Sequence, residues 1–246
     1  FKGNKAWRIQ MGNVDSTSKQ ALLLGLSGHG KTRFLHQNWL KAKGEDAKDA
    51  TKPSLGFNYE VLGQDENKIG IWDLAGNILY RPMWKKFYKN LGITGIIFMI
   101  RLYDDEGTKK ENKGKTTMTI GKEGNNLDDL PDDAEAENKM QKESKKNRMQ
   151  AIVEGRKELH FVMNEYALRD KFCYVVINCD ESIAARENNK KADDPDRINK
   201  ATLLETVKGW IKFDELPQKN KKIFLLFKID EDYDACLREL QTLAKQ

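Results

Sequence analysis

Gly25-Leu26-Ser27-Gly28-His29-Gly30-Lys31-Thr32 follows the apolar run Ala21-Leu22-Leu23-Leu24 and precedes Phe34, Leu35, Trp39 and Leu40, which fall roughly on one helical face. The octet satisfies G-x-x-x-x-G-K-[ST], and it lies between a buried strand and an amphipathic helix, the context that gives this pattern meaning. Gly28 and Gly30 let the backbone curl into a nest of N–H groups, which Ser27 and His29 complete. The helix that follows turns its unpaired N–H groups toward the same anion. Lys31 adds a point charge between the outer phosphates, and the Thr32 hydroxyl is one ligand for a magnesium ion. The side chain of His29 has two readings, a contact to a phosphate or a catalytic water, or a position in solvent.

Outward from the octet, Phe57, Tyr59 and Val61 alternate with polar residues. Gly63-Gln64-Asp65-Glu66-Asn67 turns the chain and Ile69-Gly70-Ile71-Trp72 returns, which makes a hairpin. Asp73-Leu74-Ala75-Gly76-Asn77 comes next. Asp73 ends an apolar strand where it can hold magnesium through a water, and Gly76 lets a backbone N–H approach a terminal phosphate. D-x-x-G is weak alone, but it gains weight roughly forty residues after a phosphate loop. An aromatic amphipathic segment (82–88), the apolar strand Ile96-Ile97-Phe98-Met99-Ile100, and a helical pattern at Ile152, Leu159, Val162, Met163 and Tyr166 follow. The chain then continues through the strand Phe172 to Ile177, a helix with Leu203, Leu204, Val207 and Ile211, the strand Ile223 to Phe227, and a closing helix marked by Tyr233, Cys236, Leu237, Leu240 and Leu243. Alternating strands and helices with apolar interior strands predict an α/β fold, a mostly parallel six-stranded sheet flanked by helices. Ligands in such folds bind at the carboxyl ends of the strands.

The 246 residues fit a single domain (1–246) with an N-terminal extension (1–20) and a charged insertion (104–148) between strand 4 and helix 3. The insertion has hardly any large apolar side chain and is read as a solvated loop or a partner-binding arm. A net charge of +5, with Lys+Arg 43 against Asp+Glu 38, is too mild and too mixed to predict a nucleic-acid partner. No apolar run reaches the roughly 20 residues of a membrane span. Cys173, Cys179 and Cys236 make no disulfide framework and point to a reducing, intracellular setting, with Cys173 and Cys236 as core fillers. Because the sequence opens at Phe1, an N-terminal lipid or targeting signal lies out of sight. His36 and His160 lack partners at metal spacing and read as helix-surface residues. Lys219-Asn220-Lys221-Lys222 reads as a solvated turn.

Pro53-Ser54-Leu55-Gly56-Phe57-Asn58, then Trp72-Asp73-Leu74-Ala75-Gly76-Asn77, then Arg81-Pro82-Met83-Trp84-Lys85-Lys86-Phe87-Tyr88 resemble the two switches and following helix of the ADP-ribosylation-factor (Arf/Arl) small GTPases. The likeness is good from Ala21 to about Ile100 and beyond that rests on the order of strands and helices. It implies the P-loop small-GTPase fold, GTP or GDP with magnesium as ligands, and protein partners at the switch surface and the charged insertion. It also implies a cytoplasmic or membrane-peripheral place, with no transmembrane segment. By this resemblance Ser54 occupies the place of the switch 1 hydroxyl that completes the magnesium shell, and Trp72, Trp84 and Tyr88 are split between effector patch and core.

The departures from the family pattern matter as much. Asn77 replaces the glutamine that orients the attacking water and is shorter by one methylene, which implies slow hydrolysis at best, with Gly76 and Asn77 as the catalytic pair. The guanine-reading motif is represented by Asn178-Cys179-Asp180-Glu181, in which Asn178 is kept. Cys179 cannot cover the base as lysine does, and the Glu181 carboxylate sits one bond too far out unless Asp180 moves in to replace it. Cys179 is expected to be exposed beside the nucleotide. Ile229 crowds the third base-contacting loop, and Arg101 stands where strand 4 of the family carries an aspartate. An intact phosphate end with an eroded base end leaves three readings open: a divergent GTP-binding switch; a pseudo-GTPase structural subunit of a large complex, organellar (mitochondrial) if a presequence precedes Phe1; and an ATP-binding relative.

Overall fold

The computed structural model describes residues 19–39, 56–62, 68–102, 150–179, 183 and 199–227, together with 235, 236, 238–240 and 242. Its centre is one sheet in the order β2-β3-β1-β4-β5-β6. These strands are β1 (Lys19–Leu24), β2 (Phe57–Leu62), β3 (Ile69–Leu74), β4 (Gly95–Leu102), β5 (Phe172–Cys179) and β6 (Lys221–Leu226). Only the β2–β3 pair is antiparallel; β1 lies parallel to β3 and β4, β4 to β5, and β5 to β6. The mostly parallel six-stranded sheet expected from the sequence is therefore present. The helices are α1 (Lys31–Arg33, widening into a looser turn over Phe34–Trp39), α2 (Arg81–Asn90), α3 (150–163), α4 (Lys200–Ile211) and α5 (the helical residues between 235 and 242).

Both faces of the sheet are buried, as the near-continuous apolar strands require. On one face Leu22, Leu24, Phe98, Ile100, Val175 and Ile177 pack with Trp84 and Tyr88 of α2, Leu159 and Met163 of α3 and Val207 and Ile211 of α4. On the other, Ala21, Leu23, Ile97, Met99 and Val176 pack with Phe34, Leu35, Cys236 and Leu240. The period of two along each strand assigns its residues to these faces.

Several local expectations are corrected. β1 begins at Lys19, and Gln20 is buried because its Oε1 accepts the indole N–H of Trp72 at 2.8 Å. Tyr166 is 84% exposed: α3 stops at 163 and Tyr166 falls in a short turn, with Arg169 stacked 5.6 Å from its ring. Lys221 and Lys222 open β6 instead of forming a solvated turn. Lys221 donates to the carbonyls of Asp214 and Leu216, and Lys222 pairs with Glu239. His160 is half-buried, its Nε2 donating to the Ile211 carbonyl at 2.8 Å and tying α3 to the end of α4. Residues 1–18 and 104–148 lie outside the described residues.

Candidate functional site

The segment between β1 and α1 runs over the carboxyl ends of β1 and β4. Gly25, Gly28 and Gly30 all have positive φ, 142°, 77° and 87°, values that L side chains rarely adopt. Two of them also lack room. A Cβ on Gly25 would lie 2.3 Å from the Met99 carbonyl oxygen, and one on Gly30 would lie 2.7 Å from Asn178 Nδ2. Ser27 and Gly28 are exposed at the crown, and Phe34 N donates to Gly30 O at 2.8 Å where the helix begins.

Lys31 is buried, and its Nζ bridges back to the carbonyls of Gly25 and Leu26 at 3.0 and 3.1 Å, so the ammonium closes the loop's open side. Burial lowers its pKa to about 8, opposed by the nearby Asp73 carboxylate, which leaves it charged at neutral pH. Asp73, fully buried at the end of β3, accepts the Thr32 hydroxyl on Oδ2 at 2.5 Å, while its Oδ1 has no hydrogen-bond partner. Burial raises the Asp73 pKa, and Lys31 and Thr32 oppose the rise. A buried carboxylate oxygen without a donor is costly. Beside a hydroxyl, a carboxylate and an ammonium, it fits the place of a divalent cation next to a polyphosphate. Thr32 and Asp73 are thus together as the sequence reading expects; Ser54 lies outside the described residues.

Gly76 packs directly on the loop. A Cβ there would lie 2.2 Å from Gly25 O and 2.6 Å from Ser27 N. Its carbonyl accepts from Ser27 N at 3.1 Å and from Arg81 Nε at 3.0 Å, and Arg81 continues to Glu158 of α3 at 2.9 Å. Asn77 is exposed, and its Oδ1 accepts the backbone N–H of Leu79 at 3.0 Å, which commits it to the turn that starts α2.

The imidazole of His29 faces neither solvent nor the ligand side, which corrects both readings of its side chain. It is 3% exposed and turned under the loop, with Nδ1 3.2 Å from the Met99 carbonyl, so Nδ1 carries the proton. Burial lowers its pKa to about 4, against the Met99 bond, which raises it; Lys31, Arg101 and Arg81 add to the lowering. Cys179 is fully buried, not exposed beside a nucleotide. The period of two from Cys173 through Val175 and Ile177 carries it into the core, a signal present in the sequence. Asn178 reaches the loop, its Nδ2 donating to His29 O at 3.3 Å, and Glu181 lies outside the described residues. Trp72, Trp84 and Tyr88 are all buried, so they belong to the core; the exposed apolar residues of that region are Ile78 and Leu79. No group of three or more His, Cys, Asp or Glu residues able to hold a metal is present among the described residues.

A glycine loop with its lysine, a threonine–aspartate pair and a D-x-x-G strand end on this sheet define the class: a P-loop protein of the small-GTPase fold. Residues 8–126 match the sequence model of the ADP-ribosylation factor family, and over that stretch the chain is similar to the Arf/Arl small GTPases. ADP-ribosylation factor-like protein 1 of Saccharomyces cerevisiae is 35% identical over 92 residues, which cover 37% of this chain and 46% of the relative. ADP-ribosylation factor J of Dictyostelium discoideum is 32% identical over 106 residues, covering 43% and 46%. The chain thus spans less than half the length of these curated relatives. The Arl6 BBS3 small GTPase from Trypanosoma brucei with bound GppNp aligns at a TM-score of 0.48 with 14% identity, over 91% of this chain and 97% of that one.

Proposed function

We propose that this chain binds GTP or GDP with magnesium, hydrolyses GTP slowly or not at all, and acts through protein contacts. The single observation that carries the reading is the convergence of Thr32 and Asp73 beneath the glycine loop, with Asp73 Oδ1 left without a donor. In this reading the backbone N–H groups of Gly28, Gly30 and Lys31 hold the phosphates, those of Ser27 and His29 being engaged by the carbonyls of Gly76 and Leu26; the Lys31 ammonium neutralises the outer phosphates, and Thr32, Asp73 and Ser54 supply oxygen ligands. A magnesium ion there would offset the charge of the terminal phosphates. Asn178 holds the base loop against the phosphate loop, and Glu181 is the carboxylate offered to the base. Slow turnover follows from Asn77, whose side-chain oxygen is engaged by Leu79 N and whose reach is a methylene short.

The test is to release the nucleotide from the purified chain by denaturation, identify it by ion-exchange chromatography, and measure GTP turnover. Recovered GTP or GDP with turnover below that of a glutamine-bearing relative is the expected result. Recovered ATP assigns the chain to the ATP-binding alternative. A chain that takes up no nucleotide with magnesium, and travels as a fixed member of a complex, is the pseudo-GTPase subunit. Among the described residues no helix is long and apolar enough to cross a membrane. Placement in the cytoplasm, at a membrane periphery or in an organelle belongs to the same proposal.

A further inference from the structure

Arg101 has entered the site so far only through its charge beside His29. It lies near the carboxyl end of β4, half-buried, and pairs in register with Asn178 of β5. Register partners in parallel strands present their side chains to the same face. The Asn178 side chain reaches the loop at His29 O, so the Arg101 side chain leaves the sheet on the loop's side. Two residues earlier on the same strand, the Met99 carbonyl holds the His29 ring and lies against Gly25. Arg101 is also one of the three cations whose field reaches His29.

Its place across the sheet decides which part of a ligand it meets. The Thr32–Asp73 pair, the cation end of the site, belongs to the β1/β3 side. The strand order β3-β1-β4-β5 puts Arg101 two strands away from β3, roughly 10 Å at ordinary strand spacing, which is about the reach of an extended triphosphate. On the nucleotide-binding reading, the nucleoside half would therefore lie toward β4 and β5. The motif that begins at Asn178 has no lysine there, since Cys179 is buried in the core.

We propose that Arg101 is a nucleotide-binding residue that supplies from β4 the cation missing from β5, holding the nucleoside half of a purine nucleoside triphosphate. Guanidinium groups stack on rings and donate several hydrogen bonds in a plane, so one arginine serves either purine. The inference rests on the nucleotide-binding reading above.

Calorimetric titration of the full chain with magnesium GTP, magnesium ATP and inorganic tripolyphosphate tests it, using wild type, Arg101→Gln, Arg101→Met and Arg101→Lys, each first melted without ligand. Loss of a charge-assisted contact predicts roughly 10-fold weaker GTP and ATP binding in the Gln and Met variants, a smaller loss in the Lys variant, which keeps the charge but not the planar guanidinium, and unchanged tripolyphosphate binding throughout. Arg101→Met keeps the unbranched stem and carries the test if Arg101→Gln fails to fold. Nucleoside triphosphate affinity equal to wild type in the charge-removed variants overturns the proposal. So does an equal loss for tripolyphosphate, which would place Arg101 on the phosphates. A wild-type chain that binds none of the three overturns the nucleotide reading itself, an outcome distinct from failure at Arg101 alone.

Discussion

One carbon at Gly76 would collide with three backbone atoms of Gly25, Leu26 and Ser27, none of which can swing aside as a side chain could. Gly76→Ala is expected to cost about 2 kcal/mol and to weaken nucleotide binding, read from urea unfolding with and without magnesium GTP. Asn77→Gln extends the reach by one methylene, and GTP turnover is expected to rise on the order of 10-fold in a single-turnover assay. His29 supplies a pH dependence. Its folded pKa of about 4 lies below the ordinary 6.5, so the unfolded chain takes up the proton first. Stability from this group is complete above pH 6.5 and falls as the pH drops toward 4, by about 3 kcal/mol in all. Unfolding free energies measured between these limits should show the fall in wild type and lose it in His29→Ala. The phosphate loop was legible because its chemistry lies in the backbone and in residue spacing. The inward turn of His29 was not, since it depends on a carbonyl 70 residues away that no local pattern announces.

The β2–β3 hairpin is held by aromatic packing more than by its edge. Trp72 meets Tyr59 at 4.5 Å, Phe87 at 5.5 Å and Phe57 at 5.6 Å between ring centroids, and its indole N–H is satisfied by Gln20. Trp72→Ala is expected to cost about 3–5 kcal/mol by chemical denaturation, because it opens a cavity and leaves Gln20 Oε1 without a donor. The alternation of Phe57 and Tyr59 foretold the hairpin. It could not apportion Trp72, Trp84 and Tyr88 between surface and core, since that depends on α2 lying across the sheet. Similarly, spacing placed Tyr166 on the face of α3, but a helix face ends where the helix does, and the turn after 163 points the ring outward. Cys179 was the more readable error: β5 runs on to it, and the strand's own alternation marks it as inward.

Across the whole molecule, ligand and fold are linked by mass action. Magnesium nucleotide at about 100 times its dissociation constant is expected to add about 2.7 kcal/mol of stability, roughly 5–10 °C in melting temperature for a chain of this size, with part of the gain lost on chelation of magnesium. A scan that moves with nucleotide concentration supports the proposed function; an immobile one counts against it. The succession of strands along the chain was readable from the sequence at this scale because Leu22–Leu24, Ile96–Ile100 and Phe172–Ile177 are apolar runs; their order across the sheet carries no such local signal. The Gly76 carbonyl, which receives Ser27 from the loop and Arg81 on its way to Glu158, makes a junction of two hydrogen bonds and one ion pair between the phosphate loop and α3. To the extent that a ligand in the loop and a protein gripping α3 prefer different settings of that junction, each must alter the other's affinity by the same factor. A tug on the helix flank is then felt as a tighter or looser grip on whatever the loop holds.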